Sequence, residues 1–183
     1  QTTMERTLIK DLKNYIGTEV LINGVVNVAR HQGKMAFFDF RDRSSLIQGV
    51  VFGKPEVLEV AKDIGQEYSV AVKGIVNQRP EKMVNANVPN GDIELEITGI
   101  EILNASEALP FDMDADFSLD VLLDNRPLTL RRPRERAIFK IQAEITNAYA
   151  TFLRQEGFTE FQAPKLVGGD AEGGAEVFKV GYF

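Results

Sequence analysis

The chain has 183 residues, 44% of them hydrophobic, with 27 acidic against 21 basic side chains and a net charge of −6. That length accommodates one or two domains with a real core, and the acidic balance argues against a generic coater of nucleic acid, so any nucleic-acid contact must be a local patch. The lack of cysteine excludes disulfides, a Cys-based zinc site and a thiol nucleophile, and the single His31 leaves no His-based dyad without a carboxylate or Ser partner.

Taken in order, the chain opens with a helical turn, LIKDLKNYIG, closed by Gly17. Alternation then predicts strands over 19–28, 34–41 and 46–52, the last two joined by the polar turn Asp42-Arg43-Ser44-Ser45. Pro55 opens a helix whose Val57, Leu58, Ala61 and Ile64 share one face and whose end is marked by Gly65. Strands are predicted again over 68–77 and 93–103, separated by a turn-rich stretch with Pro80, Pro89 and Asn90-Gly91. Three strands, a helix and two strands is the order of the five-stranded OB barrel, whose exposed strand face and loops bind oligonucleotides. Residues 1–106 are therefore read as an all-β barrel domain.

Residues 107–127 are acidic and irregular and read as a linker, with Asp112, Asp114, Asp116, Asp120 and Asp124. From 128 to 156 the pattern turns helical, with Pro133 in the first turn, a stripe of Ala137, Ile138, Ile141, Ile145, Ala148, Phe152 and Leu153, and Gly157 as the stop. A short strand is expected over Phe158 to Phe161, ended by Pro164, then a Gly-rich loop over 168–174 and the start of another strand at Gly181. One long helix and two short strands cannot close a core of their own, so 128–183 reads as the beginning of a second domain. No apolar run approaches the ~18 residues of a membrane span and no leader is recognisable, which leads to the expectation of a soluble cytoplasmic protein.

The hairpin over 34–52 carries the functional signal. Alternation puts Phe38 and Phe40 on the opposite strand face from Phe37, leaving an exposed ring near Gln48 and several charges. A ring stacks on any base and an amide reads a base edge, so this face suits unpaired nucleotides. Asp39, Arg41, Asp42 and Arg43 are expected to pair with one another, and His31 to be an exposed loop residue.

These stretches together resemble the class II aminoacyl-tRNA synthetases of the aspartyl, asparaginyl and lysyl subgroup, and within it the archaeal type of aspartyl enzyme. The resemblance rests on Phe37-Phe38-Asp39-Phe40-Arg41-Asp42-Arg43 with Gln48, on Leu123-Asp124-Asn125-Arg126-Pro127-Leu128, on Arg131-Arg132-Pro133, on the stretch from Gly157 to Leu166, and on Glu172-Gly173-Gly174. It implies an anticodon-binding OB domain followed by the start of an α+β catalytic domain, an antiparallel sheet with helices. Phe37 would stack on an anticodon base, Gln48 would bond the central uridine, and Arg30 and Arg79 would help hold the anticodon stem or loop.

The Gly157 to Leu166 stretch is similar to motif 1, which in the family builds a homodimer interface with a proline at the position of Pro164. Glu172 would meet the ammonium group of L-aspartate from a closing loop, a charge-assisted and orienting contact. The resemblance implies a ligase of protein biosynthesis that uses ATP and Mg2+ and charges tRNA(Asp) or, with relaxed tRNA choice, both tRNA(Asp) and tRNA(Asn). The ATP, metal and transition-state residues of motifs 2 and 3 would lie beyond residue 183, so the metal ligands are not in this stretch and the chain alone would be inactive. One departure is Val25, where the family commonly has tryptophan. The alternatives are an asparaginyl enzyme and a non-catalytic OB-fold tRNA-binding module.

Overall fold

The computed structural model describes residues 4–164 and Gly181, which fall in two compact units, Gln1–Pro110 and Phe111–Phe183. In the first unit β1 (Glu19–Gln32), β2 (Met35–Arg41), β3 (Leu46–Phe52), β4 (Ser69–Gln78) and β5 (Ile93–Asn104) form a closed barrel in the order β1-β2-β3-β5-β4. Every seam is antiparallel except β3–β5, which is parallel and pairs only Gly49 with Leu95 and Val50 with Glu96. Helix α1 (Pro55–Lys62) lies between β3 and β4, completing the OB order expected from the sequence. β1 runs past the expected end at Val28, because Ala29 to Gln32 pair with Phe38 to Met35 and the turn is deferred to Gly33, whose φ is +60°.

The interior follows from the period of two. Ala36, Phe38 and Phe40 of β2 are buried, as are Ile47 and Val51 of β3 and Leu95 and Ile97 of β5, while their neighbours point outward. The rings of Phe38 and Phe40 stack at 5.6 Å between centroids. Gly49 makes room for them, since a Cβ there would stand 2.7 Å from the Phe40 ring. A 3-10 helix, Ile9–Tyr15, adds the buried side chains of Ile9 and Leu12 to the same core.

Two polar clamps fix the C-terminal end of β2. The carboxylate of Asp42, whose side chain is 1% exposed, accepts from the backbone N–H groups of Ile9 at 3.0 Å, Ser44 at 2.7 Å and Ser45 at 3.1 Å, and from the Ser44 hydroxyl. It thereby ties the β2–β3 turn to the 3-10 helix. Arg41 forms a two-pronged bond to Glu67, at 2.8 and 2.6 Å, and Glu67 is buried with a φ of +67°. Asp39, Arg41 and Asp42 therefore do not pair with one another as expected. Each reaches to another element, because alternation points 39 and 41 outward and the tight turn folds Asp42 onto its own backbone.

The second unit holds α2 (Leu119–Asp124), α3 (Arg126–Thr129) and α4 (Pro133–Gln155). Helix α2 lies inside the stretch read as irregular. Its start is capped by the Ser118 hydroxyl, which accepts from Val121 N–H at 3.4 Å. The single helix expected from 128 is interrupted, since Arg132 before Pro133 is extended with ψ of 141° and the helix restarts at the proline. Arg132 lies over the Phe117 ring at 4.5 Å and Arg126 over Phe139 at 5.0 Å. Gly157, at φ +87°, ends α4, with Phe158 N–H donating to Leu153 O and Gly157 N–H to Arg154 O. The strand expected over Phe158 to Phe161 has no strand partner among the described residues. Glu172 and the rest of the Gly-rich loop lie outside those residues. Among them no helix is long and apolar enough to cross a membrane.

Burial pushes the Asp42 carboxyl up, but its four hydrogen bonds outweigh that and hold it below the ordinary 3.8. A folded-state pKa below the unfolded one adds stability that is complete above pH 3.8 and is lost as pH falls through the folded value. Asp42→Ala should cost about 1–3 kcal/mol at pH 7 by urea denaturation. It should also remove part of the acid dependence that the parent shows below pH 3.8.

Candidate nucleic-acid interface

The outward face of β1, β2 and β3 is built by cross-strand rows. Arg30 pairs with Phe37 and Phe37 with Val50, while Val28 pairs with Asp39 and Asp39 with Gln48. Adjacent rows lie side by side, so ring, amide and guanidinium share one surface. Phe37 is half-buried on that face, opposite the core rings of Phe38 and Phe40. Arg30 is half-exposed and its Nη2 lies 3.2 Å from Asp39 Oδ1, which holds the guanidinium beside the Phe37 row.

Arg79 follows β4 and reaches the same face from the far side of the barrel. Its Nη2 donates to Gln48 Oε1 at 2.7 Å and its Nε lies 3.5 Å from Glu94 Oε2. A guanidinium can only donate, so the amide atom facing it must be the oxygen. The Gln48 NH2 is left with no partner among the described residues. Gln48 therefore presents a hydrogen-bond donor outward and selects for an acceptor on whatever it meets. The Arg79 side chain is only 8% exposed, so its place is behind Gln48 and not on the open turn suggested by its position in the sequence.

Sequence reasoning missed the acids that set this arrangement. Glu94 holds Arg79, and Glu96 accepts from Lys54 Nζ at 3.1 Å and Asn77 Nδ2 at 3.2 Å. The Lys54 bond, more than opposing burial, holds the Glu96 carboxyl below its ordinary range. The alternation Ile93-Glu94-Leu95-Glu96-Ile97 was the available signal, since it places both acids on the outer face next to β3. His31 is exposed as expected, though it stands near the end of β1, edge-on to Phe38 at 5.8 Å. Pro164 is an exposed residue of the second unit. Among the described residues no group of three or more His, Asp or Glu is placed to hold a metal ion.

A closed five-stranded barrel with an aromatic, amide and arginine face defines an OB-fold nucleic acid binding domain, and the family description of that name matches residues 20–103. Residues 118–182 match the family of class II tRNA synthetases (D, K and N). An asparagine–tRNA ligase of Desulforamulus reducens is 36% identical over 98% of this chain and 40% of its own length. An aspartate–tRNA(Asp/Asn) ligase of Methanococcus maripaludis is 40% identical over 91% of this chain and 38% of its length. The crystal structure of asparaginyl-tRNA synthetase from Pyrococcus horikoshii, complexed with asparaginyl-adenylate, superposes with a TM-score of 0.82 at 32% identity, over 99% of this chain and 41% of that one. The chain belongs to the D, K and N family of class II tRNA synthetases, and it spans about 40% of the length of the curated relatives it matches.

The Arg79–Gln48 contact predicts energetic coupling. A double-mutant cycle with Arg79→Ala and Gln48→Ala, read by urea denaturation, should give a coupling energy of about 0.5–3 kcal/mol.

Proposed function

We propose that this chain is the tRNA-recognising part of an aspartate–tRNA ligase, with the Phe37, Gln48 and Arg30 face as its anticodon reader. The observation that carries the reading is the shared outer surface on which a half-buried ring stands in the row beside an amide whose free group is a donor. A base stacked on Phe37 contributes about 1–3 kcal/mol whatever its identity, and the Gln48 donor then favours a base with a carbonyl at that edge, as uridine has. Arg30 supplies positive charge for the phosphates, and Arg79 serves the site by orienting Gln48. The barrel over 1–106 would choose the tRNA, and 128–183, after the 107–127 connection, would begin the catalytic domain.

In the whole enzyme L-aspartate and ATP would form an adenylate with Mg2+, and the aspartyl group would pass to tRNA(Asp) and, in an enzyme of relaxed tRNA choice, to tRNA(Asn). Glu172 would hold the substrate ammonium group, while ATP and Mg2+ would be bound by parts of the enzyme outside this chain. The α4 side chains Ile138, Ile141 and Ile145 are exposed. Together with Pro164 they are the proposed contribution to a homodimer interface. A second reading, an asparagine–tRNA ligase, is favoured by the relative from Desulforamulus reducens, which aligns with 98% of the chain.

Binding of anticodon stem-loops tests the reader. The parent chain should prefer the Asp anticodon over unrelated ones, and Phe37→Ala should weaken binding by about 1–3 kcal/mol. Equal affinity for every anticodon would sink the proposal. In the longer enzyme, pyrophosphate exchange should require aspartate, and Glu172→Ala should raise the concentration needed. Better exchange with asparagine would move the assignment to the second reading.

A further inference from the structure

Phe37, Asp39 and Arg41 are successive outward positions of β2, and beyond Arg41 the same outer surface opens into a cleft of about 340 Å³. The cleft is lined by Arg6, Val25, Arg41, Arg43, Ser69 and Leu103, with Asp42 at its side. Four residues of strand separate Arg41 from Phe37, roughly 13 Å at the usual rise.

The charges in this cleft are unequally committed. Arg41 spends both of its terminal nitrogens on Glu67, and the Asp42 oxygens accept four hydrogen bonds from the 3-10 helix and the turn. Arg6 donates to the Asn23 carbonyl at 3.0 Å and stands 3.9 Å from Asp42. Arg43 is exposed and, unlike the other four arginines of the barrel unit, has no hydrogen-bond or ion-pair partner among the described residues. With Arg41 set against Glu67 and Arg6 against Asp42, one positive charge is left over, in a chain whose net charge is −6. A guanidinium fork beside the Ser69 hydroxyl matches the oxygens of a phosphodiester. The apolar wall of Val25 and Leu103 suits the sugar beside it.

We propose that this cleft is a second RNA contact, in which Arg43, backed by Arg6, holds a backbone phosphate of the same strand whose base stacks on Phe37. Single strands cross OB folds over roughly 4–16 nucleotides, so a strand anchored at Phe37 has length enough to reach it. The contact is blind to sequence, because a phosphate carries none. It fixes the register of the RNA on the barrel and leaves discrimination to Gln48. This inference rests on the proposed RNA-binding function and assigns to it a site outside the Phe37 and Gln48 face.

The test uses the 183-residue chain and RNA anticodon stem-loops, with affinity measured between about 50 and 200 mM salt. Arg43→Gln, at an exposed position, should weaken binding severalfold for every anticodon and flatten the dependence of log K on log salt by about 0.7–1. Arg43→Glu should weaken it further. Replacing single phosphates by neutral methylphosphonates should reveal one position that costs affinity with the parent and none with Arg43→Gln. Unchanged affinity and salt slope in both Arg43 variants would overturn the inference, as would an RNA that the parent does not bind. Phe37→Ala separates the two claims, since it should weaken binding with the salt slope intact. If Phe37→Ala and the choice of anticodon make no difference while Arg43→Gln still flattens the slope, the phosphate contact stands and the anticodon reading falls.

Discussion

The rings of Phe38 and Phe40 packed over Gly49 are the contact on which the barrel unit depends. They fill the space between β2, β3 and β5, and any Cβ at position 49 would collide with Phe40. Because the side-chain period of a strand is two, that packing also decides what faces outward. A slip of one residue would bring Phe37, Asp39 and Arg41 into the core and turn the core rings out, which apolar burial opposes at every position. The outer face is thus specified by the inner one, and Phe37 is half-exposed because two other phenylalanines are buried.

An acidic chain with the proposed RNA face needs its carboxylates kept occupied. On the outer surface Asp39 is set against Arg30, Glu94 against Arg79 and Glu96 against Lys54, while the buried Glu67 holds Arg41. Partly exposed pairs of this kind contribute little to stability. Their effect is on placement and local potential. Each acid removes a repulsive charge from the surface while aiming a cation or an amide, most plainly where Glu94 and Arg79 together point the Gln48 donor outward.

How far the sequence revealed this depended on the range of the interaction. Strand alternation, the proline that opens α1 and the glycine that ends α4 are local rules, and they yielded the barrel order and the outward position of Phe37. The pairings of Arg41 with Glu67 and of Asp42 with Ile9 join residues distant in sequence, where charge at a turn suggested only neighbours. Helix α2 was hidden because its acidic residues resemble a linker, and one Ser118 cap is a weak signal beside them. The burial of Arg79 followed from barrel closure, which no local pattern encodes.

That closure has a consequence for the order in which the parts come together. Arg30 and Phe37 belong to one hairpin and can meet as soon as β1 and β2 pair. Gln48 is oriented only by Arg79, which arrives through β4, and the parallel β3–β5 seam joins residues remote along the chain. Contacts of such separation carry the larger loop-closure cost and form late. A chain emerging from the ribosome therefore acquires its stacking ring before it acquires its oriented amide. On the proposed function, selectivity would arise with the final seam, and a half-folded barrel would hold RNA without choosing it.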